Sequence, residues 1–116
     1  MTTRQLDRRQ WQTYFDQISQ HLEATRINLE ITGPDLGVQT EAQHVTLQGL
    51  SYDPKDDAFS VISEELEHRI EHPEAISVRE DAGGLSAVEI IDGDNRHHIA
   101  RLISPLRLPP SSRPGR

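Results

Sequence analysis

The chain contains no cysteine. That excludes disulfides, thiolate catalysis and thiolate metal sites. Aromatic residues make up only 4% of the 116 residues: one Trp, two Tyr and two Phe. Hydrophobic residues reach 34%, so a core must be small and economically placed. No apolar run approaches the roughly 18 residues of a membrane-spanning helix. The opening stretch, MTTRQLDRRQWQ, lacks the apolar region of a signal peptide, and a cytoplasmic protein is expected. Basic residues are also in deficit, with 12 Lys and Arg against 19 Asp and Glu, for a net charge of −7. This balance disfavours nucleic acid, which calls for a basic face, and an anionic membrane surface. No cofactor motif is recognised.

The first periodic segment reads as a helix. Trp11, Tyr14, Phe15, Ile18 and Leu22 recur at helical spacing and share one face. Leu6 extends the face toward the start, and Thr3 is the candidate N-cap. From Arg26 the period changes to two. In RINLEIT, Ile27, Leu29 and Ile31 alternate with polar residues, as in a half-buried strand. GPDLG (33–37) is a turn signal. In HVTLQGLSYD, Val45 and Leu47 share one parity while Leu50 and Tyr52 share the other. The switch at Gly49 predicts a bulge or bend. DPKDD (53–57) reads as a turn and AFSVI (58–62) as a strand. AISVRE (75–80), LSAVEIID (85–92) and HHIARLI (97–103) are three more strands, the last two flanking the turn-forming DGDN. Short connections require antiparallel neighbours. The expected fold is α+β: an N-terminal amphipathic helix packed on a strongly bent antiparallel sheet, or a small SH3-like barrel, of about five to seven short strands. A single domain is expected over 1–108, with a disordered Pro/Ser/Arg tail at 109–116. Leu106 and Leu108 are candidates for docking onto that domain.

EELEHRIEHP (64–73) is the stretch richest in candidate chemistry. As a helix it has only Leu66 and Ile70 as apolar residues, and Pro73 ends it. As a strand, Leu66, His68, Ile70 and His72 share one side, with Glu67, Arg69 and Glu71 on the other. The strand accounts for every residue, and a hairpin with 58–62 is expected. His68 then lies between apolar neighbours. Its ordinary role is a partly buried ring bonded to a backbone group or carboxylate. The functional alternative is a metal- or small-ligand-binding face formed by His68 and His72, which needs a further converging ligand. His21, His44, His97 and His98 are the available histidines. No HExxH order is present. Asp53, Asp56 and Asp57, and the acidic residues of DGDN, are explained by turns, and neither stretch has calcium-loop order. No catalytic residue is assigned.

The runs LQGLSYDPKDDAFSVI, HRIEHPEAISV, LSAVEIID and PLRLP resemble a family of small bacterial and archaeal domains of unknown function. That pattern joins a Trp-containing helix, a Gly-Ile-Ser-Tyr-Asp-like strand, a His-x-Ile-x-x-Pro-x-x-Ile stretch and a final strand pair. Leu50 stands where Ile is usual. The resemblance runs from Trp11 to about Leu108, and it implies a shared fold unit with no activity attached. A weaker similarity, to Sm-like and SH3-like small barrels, implies association through edge strands. The expected function is a non-enzymatic protein-interaction or self-associating module, with a protein partner or a second copy of the chain.

Overall fold

The computed structural model describes residues 2–22 and 25–107. Leu108 and the 109–116 tail lie outside them. Among the described residues eight strands are formed: β1 (Thr2–Gln5), β2 (Arg26–Gly33), β3 (Gly37–Asp53), β4 (Ala58–Ser63), β5 (Glu67–Glu71), β6 (Pro73–Asp81), β7 (Gly84–Asp92) and β8 (His97–Leu106). An α-helix, α1 (Trp11–Ser19), follows a 3-10 turn at Arg8–Gln10. All strands join one antiparallel sheet in the order β1-β6-β7-β8-β2-β3-β4-β5.

The expected α+β class and antiparallel sheet are present; barrel closure and the strand count are corrected. β5 runs into β6 through the single residue His72, so pairing of these two strands would have closed the sheet. β6 instead takes β7 on one side and β1 on the other. The N-terminal strand occupies the edge that β5 would have needed, and the sheet stays open. Thr3 is therefore not a helix cap. It pairs with Arg79 of β6; the 3-10 turn ahead of the helix is capped by Asp7, whose carboxylate accepts from the Arg9 N–H at 2.9 Å, and α1 itself starts at Gln10 without a side-chain cap. Leu6 is buried, and its N–H donates to the Ile76 carbonyl.

β3 gives the sheet its bend. Residues 37–46 lie along β2, and 47–53 lie along β4. The β4 register slips between Leu47 and Gly49, at the predicted parity switch, and both Leu47 and Leu50 are buried. The bend turns β4 and β5 back over β2 and β8. The helix lays Trp11, Phe15 and Ile18 into the resulting concavity. Phe15 meets Phe59 edge to face at 4.9 Å, and Trp11 meets Tyr52 the same way at 5.0 Å. Such geometry adds to simple burial because a positive ring edge faces a negative ring face. The inner faces of the strands supply Ile27, Leu29, Phe59, Val61, Ile76, Val78, Val88 and Ile90, all at most 1% exposed.

Two polar clasps fix this arrangement. Arg8 lies over the Trp11 ring, 4.3 Å from its centroid, and donates to the Pro73 carbonyl at 3.1 Å. It also reaches Tyr52 and Asp57, so it ties the helix start to two strand corners. On the opposite side of the helix, Glu80 accepts from Tyr14 Oη at 2.7 Å and from Arg4 Nε at 3.1 Å, holding β1 against β6. Burial, then the neighbouring Glu80 carboxylate, pushes the Tyr14 hydroxyl far above its usual range.

Candidate functional site

His68 and His72 fall in the predicted hairpin but part company. β5 keeps strict alternation, so His68 and Ile70 face inward while Glu67, Arg69 and Glu71 face out. His72 follows the strand with φ 53, a left-handed conformation. That twist takes its ring out of the alternation and onto the surface. There Nδ1 meets Asp57 Oδ2 at 3.2 Å. Asp57 also accepts from Tyr52 Oη at 2.7 Å and meets Arg8. The Tyr52 bond, helped by His72 and Arg8 against partial burial, holds the Asp57 carboxyl below its ordinary range. This cluster closes the β3–β4 turn against the β5–β6 corner.

The partner of His68 is His98. His68 Nε2 lies 2.9 Å from His98 Nδ1, and His98 Nε2 lies 2.8 Å from Asp92 Oδ2. His98 is 6% exposed and sits in β8 beside buried Ile31 of β2 and Ile90 of β7. Asp92 is set by the β7–β8 turn, where its other oxygen accepts the N–H groups of Asp94 and Arg96 at 2.9 and 3.0 Å. DGDN is thus a hairpin turn, with Asn95 at φ 62, that also aims a carboxylate inward.

The proton positions follow from the acceptors. An ionised Asp92 accepts only, so His98 donates through Nε2–H. Neutral His98 then accepts at Nδ1, and His68 donates through Nε2–H. The result is a linear relay, His68 to His98 to Asp92, from the edge hairpin to the β7–β8 turn. Burial alone would raise the Asp92 carboxyl, but the bonds from His98, Arg96 and Asp94 outweigh it and hold it below the usual carboxylate range. Burial, then the proximity of His98, lowers the His68 pKa, with Glu41 opposing.

The relay differs from a metal set. Two nitrogens on one tetrahedral zinc stand about 3.3 Å apart, whereas 2.9 Å is a hydrogen-bond distance. The two nitrogens of His98 also diverge toward different partners. Among the described residues, no three His, Asp or Glu side chains converge as a metal site. Among the described residues, no Ser or Thr hydroxyl bonds to either ring. Of the other histidines, His97 faces the opposite side of β8 and meets Glu89 at 2.8 Å. His44 donates its backbone N–H to Asn28, and His21 follows the helix end.

Fold and site define a small α+β domain with one bent, open antiparallel sheet and an internal Asp–His–His relay. The chain belongs to DUF5335, a family of unknown function, whose model matches residues 2–111. An uncharacterized protein of Aquifex aeolicus (strain VF5) is 37% identical over 110 residues, covering 94% of this chain and 99% of that one. No solved structure matches. No helix among the described residues is long and apolar enough to cross a membrane.

Proposed function

We propose that this chain is a non-enzymatic cytoplasmic module that associates with a second copy of itself through a free sheet edge. The observation that carries this reading is the open sheet: among the described residues, β1 pairs only with β6, and β5 only with β4. Each edge strand offers unpaired backbone groups to another strand. Charge selects how β5 would pair. Two copies fully overlapped about Arg69 would set Glu67 against Glu71 and Arg69 against Arg69. Sliding by two residues sets Glu67 against Arg69 on both strands, at the expense of overlap. The absence of cysteine and the acidic balance suit a soluble, reducing setting.

Light scattering coupled to size-exclusion chromatography, over a wide range of protein concentration, tests this. A dimer or closed ring is expected, with Arg69→Glu shifting it toward monomer if β5 is the edge used. A monomer at every concentration would refute self-association.

A further inference from the structure

Two imidazoles in nitrogen-to-nitrogen contact accommodate a limited number of protons. With both rings neutral, one N–H lies between them. One added proton still leaves a donor facing an acceptor, because the proton goes to an outer nitrogen. A second makes both rings imidazolium, and N–H then faces N–H between two cations. We infer that the His68–His98 contact is a proton-operated latch, holding the edge hairpin β4–β5 onto β8 until both rings are protonated.

The surroundings support a threshold on the acid side of neutrality. Asp92 faces His98 from the β7–β8 turn and takes the hydrogen bond from its Nε2. Ile31 from β2 and Ile90 from β7 flank His98 and offer a second charge no polar partner. Among the described residues, Glu41 of β3 is the acidic group acting on His68, and it is outweighed by burial and by His98. Glu67 and Arg69 point outward, engaged with Ser60 and with Glu71 and Asp56. Among the described residues β5 joins the sheet through β4 alone, and the latch is its direct side-chain tie to β8. It operates whether or not copies of the chain associate.

Hydrogen-exchange protection factors on the full chain, at about pH 7 and about pH 5, test the latch. Protection of β5 amides is expected to fall about tenfold relative to β7 on acidification, in line with one extra proton per opening event over a pH unit. In His68→Phe, which carries no proton, the ratio of β5 to β7 protection should stay constant. Equal losses in β5 and β7, no loss in β5, or the same selective loss in His68→Phe would overturn the proposal. Should His68→Phe not fold, the wild-type ratio decides: a selective β5 loss supports the latch and a shared loss overturns it.

Discussion

His98 shows how one buried polar side chain is accommodated in a small apolar core. A buried ring with an unmet nitrogen costs about 1–3 kcal/mol. Here each ring nitrogen has a partner, one a carboxylate held by two backbone N–H groups. The pH dependence follows from the direction of each shift. The His68 pKa is lowered from 6.5, so between its folded value and 6.5 the unfolded chain binds more protons. Stability contributed at neutral pH is therefore lost as pH falls through 6.5 toward the folded value. Asp92 is lowered from 3.8, so its contribution holds above 3.8 and is lost as pH falls through its folded value. Thermal melts of wild type and His68→Phe should diverge between about pH 7 and pH 5, the wild type losing more. Parallel curves would contradict the assignment. From sequence alone, His68 reads as the inward residue of its strand, and it is. His98 does not, because both parities of β8 carry apolar residues: Ala100 and Leu102 on one side, Ile99 and Ile103 on the other. Only the sheet pairing decides which side is buried. His72 fails for a different reason, since a left-handed corner breaks the period-two rule that put it beside His68.

At the scale of elements, α1 is nine residues long, below the roughly 12–15 at which an isolated helix becomes even marginally stable. It persists because its aromatic face is buried. Phe15, fully buried against Phe59 and beside Tyr14, is the centre of that face. Phe15→Ala should destabilise the domain by about 3–5 kcal/mol in chemical denaturation, whereas a surface change such as Gln12→Ala should be close to neutral. A loss below about 1 kcal/mol would mean the helix is peripheral to the core. The helical face is legible because Trp11, Phe15 and Ile18 obey a local period. The element before it is not, because Thr2–Gln5 becomes a strand only through pairing with Arg79 and its neighbours, more than seventy residues away. β3 was legible only from His44. Its first half, Gly37–Gln43, is mostly exposed and polar, and it pairs along β2 without the alternation that marks a half-buried strand.

At the scale of the molecule, consecutive strands and short turns specify an antiparallel sheet, and the Gly49 irregularity specifies a bend. Closure depends on which strand takes the outer edge of β6, a contest between β1 and β5 that no local pattern reports. With β1 there, the sheet folds back without closing, and the contact between its halves includes the relay from Asp92 through His98 to His68. That relay joins the chemistry of single residues to the shape of the whole. It is tested most directly by long-range proton–nitrogen NMR of the imidazole rings at neutral pH. Protons on Nε2 of both His68 and His98, with Nδ1 of His98 bare and shifted by hydrogen bonding, are the predicted result. A proton on Nδ1 of His98 together with a bare Nε2, or two rings titrating independently as exposed histidines, would contradict it.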